Sequence, residues 1–133
     1  MNEHQKSVAR ACLHTAEENA MTFPEIIGQL MGAGFEGYAI DFRRATATYY
    51  LASGESIELT THETGVPVAA EFDAARLQTA IKEAQMLVPG YTYKGFCKKA
   101  SAAGCASYIV SFSGRRALYV GRTAETHVEH FPS

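Results

Sequence analysis

Two stretches of this chain, seventy residues apart, have nearly the same pattern, and this similarity constrains the fold more than any other feature. Aligned without a gap from residue 22 to residue 50, they share seven identical positions. The identical pairs are Thr22/Thr92, Ala33/Ala103, Gly34/Gly104, Tyr38/Tyr108, Phe42/Phe112, Ala47/Ala117 and Tyr49/Tyr119. We interpret the similarity as an internal duplication, with pseudo-repeats at about 5–62 and 72–130.

Each copy carries the signals of a helix that begins and ends at defined residues. Thr22 can cap a helix N-terminus, and Glu25 three residues later completes a capping box. Thr92 takes the same place in the second copy. Gly34 and Gly104 follow the apolar helical stripes, where a helix end needs a left-handed residue.

After each glycine the apolar residues recur at every second position, which is typical of a strand. Each half therefore predicts two helices followed by two strands, and the first half adds a third strand near "ESIELTT". Strands so close in sequence favour antiparallel hairpins. The predicted fold class is α+β: one antiparallel sheet with about four helices packed on it. We expect a single domain over residues 1–133.

Composition argues against several classes of function. The net charge of −2 makes a nucleic-acid partner unlikely, because a phosphate-binding surface needs an excess of Lys and Arg. Three scattered cysteines form neither a disulfide framework nor a zinc motif, and this favours a reducing cytoplasm. The polar start contains no signal peptide, and no apolar run is long enough to span a membrane. No cofactor is predicted.

Two arginine pairs are candidate ligand-binding residues. Arg43 and Arg44 lie near the first predicted hairpin, and Arg115 and Arg116 lie near the second. The forked guanidinium donor suits carboxylate and phosphate groups. If the halves are symmetric, both pairs could lie at related ends of the sheet. The alternative is that hairpin arginines are simply solvated.

Histidines supply the other candidates. His62 and His127 occupy roughly corresponding places in the two halves and are predicted to lie near the ligand. His127 and His130 have HxxH spacing, and Glu129 or His62 could add a third metal ligand. On a strand, however, the two rings of an HxxH pair point to opposite faces. Surface histidines near a terminus are the simpler interpretation.

The segments "MTFPEIIGQLMGAGFEGYAIDFRRATATYY", "LVPGYTYKGF", "AAGC" and "GRTAETHVEHFP" resemble a family of uncharacterised bacterial and prophage-associated proteins. Its members are often labelled "phage envelope protein". The resemblance covers nearly the whole chain and implies a small α/β domain without established catalytic residues. The chain has neither the signal nor the fibrous composition of a shell component. The polar ending "ETHVEHF" is difficult to explain by folding alone, which supports His127, Glu129 and His130 as functional candidates.

Three hypotheses about function follow. The first is a cytoplasmic domain that binds a small anionic ligand or a protein partner in a groove where the two halves meet. The second is a hydrolase or metal-assisted enzyme that uses His62, His127 and His130. The third is a homo-oligomeric interaction module, such as a homodimer, in which an edge strand or a helix face pairs with a copy of itself. The feature that would distinguish it is an apolar residue left exposed on the sheet face without helices, for which Tyr50, Leu118 and Val120 are candidates.

Overall fold

The computed structural model describes residues 1–132, which form four helices and six strands. The helices are α1 (Glu3–Glu17), α2 (Phe23–Gly32), α3 (Ala74–Met86) and α4 (Tyr93–Ala102). The strands are β1 (Phe35–Asp41), β2 (Thr46–Leu51), β3 (Ser56–Thr60), β4 (Cys105–Ser111), β5 (Arg116–Gly121) and β6 (Thr126–His130). Each half thus contains two helices and three strands. The predicted third strand of the first half is present, and β6 is its equivalent in the second half.

The six strands form one sheet in the order β3-β2-β1-β4-β5-β6. All neighbouring strands are antiparallel. This confirms the predicted α+β class, with four helices and an antiparallel sheet. Within residues 1–132, no helix is both long enough and apolar enough to cross a membrane.

The helix signals in the sequence have the predicted structural effect. At the start of α2, the backbone N–H of Thr22 donates to the Glu25 carboxylate at 2.9 Å, and the Thr22 hydroxyl accepts from the Glu25 backbone, so the capping box is complete. At the start of α4, the Thr92 hydroxyl likewise accepts from the backbone N–H of Gly95, but Gly95 has no side chain to complete a capping box. Gly34 and Gly104 have φ of 101° and 90°, a conformation that glycine adopts without steric cost.

The first hairpin forms although "RRA" contains no turn signal. Its turn depends on Asp41, whose carboxylate accepts hydrogen bonds from the backbone N–H groups of Arg43 and Arg44 at 2.9 and 3.0 Å. A short side chain that bonds to its own turn is a strong turn former. In the second hairpin, the Ser111 hydroxyl accepts from the backbone N–H of Gly114 at 3.0 Å.

The strand register repeats in the two halves with an offset of seventy residues. At the centre of the sheet, Ala39 pairs with Ile109, so the pairing of β1 with β4 is symmetric about this position. The pairing of β1 with β2 recurs in β4 with β5, including a bulge near the start of each first strand. The arrangement is therefore an approximate two-fold one. An origin by duplication stays a hypothesis.

The core lies between the sheet and the helices, which cover one face of the sheet. Alternate residues of the strands point to the helices and are buried, among them Tyr38, Tyr49, Tyr108 and Tyr119. The opposite face is open to solvent: the side chain of Ile109 at its centre is 51% exposed. A potential site therefore has to be sought in the layer between helices and sheet, at an edge, or on this open face.

Candidate functional site

A cavity of about 400 Å³ lies between the inner face of the sheet and the helices. It is partly enclosed, and residues of all four helices and of five strands form its wall. The loop between α1 and α2 contributes Asn19 to Thr22, and the loop between α3 and α4 contributes Leu87 and Tyr91. Most of the lining is apolar, including Leu13, Ile26 and Ile81. Its volume lies in the range usual for small-molecule sites.

Tyrosine dominates the cavity wall, and we call this space the tyrosine cavity. Six of the seven tyrosines in the chain line it: Tyr38, Tyr49, Tyr91, Tyr93, Tyr108 and Tyr119. Four of them form two equivalent pairs, with ring centroids 5.5 Å apart for Tyr38 and Tyr49 and 5.2 Å apart for Tyr108 and Tyr119. The cavity thus offers aromatic faces together with hydroxyl groups.

The phenol groups of the cavity are held in their neutral form. Burial raises the pKa of Tyr38, Tyr93 and Tyr108 well above the ordinary value, and it raises the pKa of Tyr91 to about 12. At neutral pH these side chains therefore present hydroxyls, which both donate and accept hydrogen bonds. None of them supplies a phenolate base under these conditions.

A polar pair lies on the inner face of β6, beside Tyr119. His127 Nε2 and Glu129 Oε2 are 3.0 Å apart, and each side chain is only 19% exposed. The His127 ring lies 6.3 Å from the ring of Tyr119, centroid to centroid, and Glu129 lines the tyrosine cavity. At the equivalent positions of β3, the first half carries Ile57 and Leu59. The second half therefore has a polar pair where the fold accepts two apolar side chains.

The C-terminal segment closes one side of the cavity. Phe131 packs edge-to-face against Phe23 of α2, with ring centroids 5.6 Å apart, and both side chains line the cavity. The Arg115 guanidinium lies 5.9 Å from the centroid of the Phe131 ring and donates to the carbonyl of Pro132 at 3.3 Å. These two contacts of Arg115 hold the segment 131–132 against the cavity.

The structure does not bring the two predicted arginine pairs together. Arg43 and Arg44 lie in the turn after β1, whereas Arg115 and Arg116 lie at the turn after β4. Since β1 and β4 are antiparallel, these turns lie at opposite ends of the sheet. Arg44 contacts Glu58 at 3.4 Å. Within residues 1–132, no arginine or lysine lines the tyrosine cavity.

The predicted histidines are also separated. His62 follows β3, at the opposite edge of the sheet from β6, and the offset of seventy residues makes Ile57, not His62, the equivalent of His127. It lies at a second, smaller recess of about 240 Å³, where its backbone N–H donates to Glu17 at 2.8 Å. His130 alternates with Glu129 on β6 and is exposed. In the described part of the chain, no three His, Cys, Asp or Glu side chains are grouped closely enough to hold a metal ion.

The open face of the sheet carries the three residues predicted for self-association. Tyr50, Leu118 and Val120 all belong to this face, because they alternate with buried residues of β2 and β5. The paired residues Ile109, Leu118 and Val128 continue the apolar surface across the second half. Self-association through this face stays a prediction.

The tyrosine cavity and the inward orientation of Glu129 are what sequence reasoning missed. Strand periodicity indicates which face each tyrosine of β1, β2, β4 and β5 lies on, but the convergence of these tyrosines on one space depends on the pairing of β1 with β4. The signal for Glu129 was present: extending the offset of seventy residues aligns His127 with Ile57 and Glu129 with Leu59. Polar residues that replace apolar ones at inward positions mark a place where folding does not explain the sequence.

Comparison with known proteins places the chain in a family. The family described as "Protein of unknown function (DUF1398)" matches residues 11–129, and the chain belongs to it. No curated protein shows significant similarity to the chain. The matched region contains the six tyrosines of the cavity and extends to Glu129.

Proposed function

We propose that this protein binds a small, largely apolar molecule in the tyrosine cavity. The observation that carries the proposal is the convergence of six tyrosines from both halves on one partly enclosed space of about 400 Å³. Binding sites for small molecules are concave and mostly apolar, with a few polar groups that orient the ligand. At the packing density of a protein interior, this volume holds roughly 12 to 16 non-hydrogen atoms.

The lining favours a binding function over covalent catalysis. Cys12 is the cysteine of the cavity wall, and burial raises the pKa of its thiol. Because the thiolate is the nucleophilic form, this residue is poorly suited to attack a substrate. The phenols are neutral as well. Shape, aromatic contact and hydrogen bonding are the means by which these residues would hold a ligand.

The character of the lining also changes the predicted ligand. The expected anionic molecule depended on the two arginine pairs, which lie at opposite ends of the sheet and outside the cavity. Aromatic rings and hydroxyls suit a molecule with an apolar body and a hydrogen-bonding group. We therefore take an apolar or amphiphilic small molecule as the ligand class.

The proposal is tested with 2-(2-naphthyl)ethanol, a neutral probe of suitable size, in a calorimetric titration. Ala84 of α3 lines the cavity, and Ala84→Phe fills part of its volume. Ala75→Phe adds the same side chain at an exposed position of the same helix, outside the cavity. We expect saturable binding to the wild type and to Ala75→Phe, and at least a tenfold loss of affinity in Ala84→Phe.

A thermal unfolding curve establishes that each variant is folded. If Ala84→Phe is not folded, Ala16→Phe fills the cavity from α1 instead, since Ala16 also lines it. The proposal is contradicted if the wild type does not bind the probe, or if the cavity-filling and control variants bind it equally well.

A further inference from the structure

We infer that the tyrosine cavity selects ligands with a cationic, amine-type head group, for which Glu129 is the counter-ion. This inference rests on the proposed function and names the charge of the molecule that the cavity takes. It combines the charges of the lining, the position of Glu129, the aromatic wall and a comparison of the two halves of the chain.

The charged groups of the lining are predominantly acidic. Glu25 and Glu129 are its carboxylates, and its single basic residue within residues 1–132 is His130, which alternates with Glu129 on β6 and is exposed. An anionic ligand would therefore meet two carboxylates and neither an arginine nor a lysine. Removing an anion from water without a positive partner is costly, whereas a cation would find opposite charge at the wall.

Glu129 is placed to contact such a cation. It lies on the inner face of β6, and its side chain is 19% exposed. His127 holds Oε2 at 3.0 Å, and no group within residues 1–132 donates a hydrogen bond to Oε1. An ammonium group has three donors and can use that oxygen. His127 is thus a positioning residue: it fixes the carboxylate and leaves one oxygen for the ligand.

The aromatic wall suits a cation as well. Tyr119 lies next to the pair on the sheet, and Tyr108 lies beside Tyr119. The face of a tyrosine ring attracts a cation, and this attraction grows when water is excluded. The carboxylate therefore provides the charge that an aromatic or aliphatic amine requires, and the tyrosine rings beside it provide the aromatic faces.

Comparison of the two halves indicates that the pair is not needed for packing. The equivalent inner positions of the other edge strand are Ile57 and Leu59, which pack on the core. A polar pair at such a half-buried place has a desolvation cost that apolar side chains avoid. The fold thus allows apolar residues at these positions, and recognition of a ligand gives a reason for His127 and Glu129.

A matched series of probes tests the inference. The series is 2-(2-naphthyl)ethylamine, 2-(2-naphthyl)ethanol and 2-(2-naphthyl)acetate, the carboxylate of 2-naphthylacetic acid. The three probes share one aromatic body and carry positive, neutral and negative head groups at pH 7. We expect the amine to bind wild-type protein at least tenfold more tightly than the acetate. Glu129→Gln, which keeps the size of the side chain, should abolish this preference, so that its affinities for the amine and the acetate differ less than twofold while the alcohol still binds saturably.

Glu125→Gln is the control, because Glu125 is an exposed carboxylate outside the cavity. It should retain the preference of the wild type. Equal binding of the amine and the acetate, or a preference that survives in Glu129→Gln, would overturn the inference and leave the proposed cavity intact. If none of the three probes binds, the proposed function itself is wrong.

Discussion

The phenolic oxygens of Tyr93 and Tyr108 lie 2.7 Å apart, within hydrogen-bond distance. The bond joins the first residue of α4 to the middle of β4, at the wall of the tyrosine cavity. The Tyr108 side chain is buried, and the Tyr93 ring stacks on Phe96 of the same helix with centroids 6.3 Å apart. One hydrogen bond thus ties the helical layer to the sheet beside the proposed ligand.

We expect Tyr93→Phe and Tyr108→Phe each to lower the free energy of unfolding by about 1–3 kcal/mol. Either change leaves the other hydroxyl in the core without this partner, and an unsatisfied buried hydroxyl has a cost of that order. The double variant removes both hydroxyls and should cost less than the sum of the two single changes. Urea unfolding of the four proteins measures this coupling.

The control for this cycle is Tyr50→Phe, since Tyr50 is 41% exposed on the open face of the sheet. It should change the free energy of unfolding by less than about 0.5 kcal/mol. If the free energies of unfolding lost in the two single variants add up to the loss in the double variant, the two hydroxyls do not stabilise each other.

Replacing the polar pair of β6 by its equivalents from β3 should keep the fold. His127→Ile combined with Glu129→Leu is expected to leave the free energy of unfolding unchanged or to raise it by about 1 kcal/mol. The reason is that well-packed apolar side chains avoid the desolvation cost of a half-buried polar pair. Urea unfolding provides the measurement, with the single variant Glu129→Leu for comparison. A loss of more than about 2 kcal/mol in the double variant would mean that the pair is structural.

Gly104→Ala should destabilise the protein far more than Gly54→Ala. Both glycines have positive φ, 90° and 95°, so both substitutions carry the backbone cost of about 1–2 kcal/mol. A Cβ at Gly104 would also overlap the carbonyl oxygen of Glu71, whereas a Cβ at Gly54 has no neighbour within 4 Å. Overlap with backbone atoms adds about 2 kcal/mol for Gly104→Ala. Thermal or urea unfolding compares the two, and equal losses would refute the steric argument.

Alkaline pH should weaken the folded state. Burial raises the pKa of Cys97 to about 12 and that of Cys105 to about 11, whereas unfolded thiols ionise near 8.5. Above that lower value the unfolded chain loses protons that the folded chain retains. The stabilisation is therefore complete below about pH 8.5 and declines as the pH rises towards 11 to 12. Urea unfolding at a series of pH values measures the decline.

Thiol alkylation provides an independent measure of the same effect. At pH 8 we expect native protein to react with iodoacetamide at least tenfold more slowly than protein in urea, because the thiolate is the reactive form. Mass spectrometry counts the modified cysteines, of which the chain has three. Equal rates in native and unfolded protein would show that the thiols are accessible and ionise normally.

Local features were the part of the fold that the sequence could predict. The Thr22 capping box and the glycines after α2 and α4 depend on contacts within a few residues, and each forms as expected. Asp41 shows that prediction from sequence has a limit even for contacts at short range. Its carboxylate bonds to two backbone N–H groups of the first turn, and this contact has the same effect as a recognisable turn sequence.

The position of one element relative to another was harder to predict. A hairpin arginine can be assigned to its turn, but its distance from a second turn depends on the direction of β1 relative to β4. Antiparallel pairing of these strands separates the arginine pairs and brings the tyrosines together. The candidate site therefore emerged only once long-range pairing was known.

The central pairing of Ala39 with Ile109 has a consequence for how quickly the chain can fold. All other strand neighbours are joined by short turns, whereas these two residues are separated by β2 and β3 of the first half and by both helices of the second. Closing so long a loop costs more entropy than closing a hairpin, and distant contacts slow folding. We expect the two outer three-stranded sections to form early and the seam between them to form late, so the tyrosine cavity, whose wall comes from both sections, would be completed in the final step.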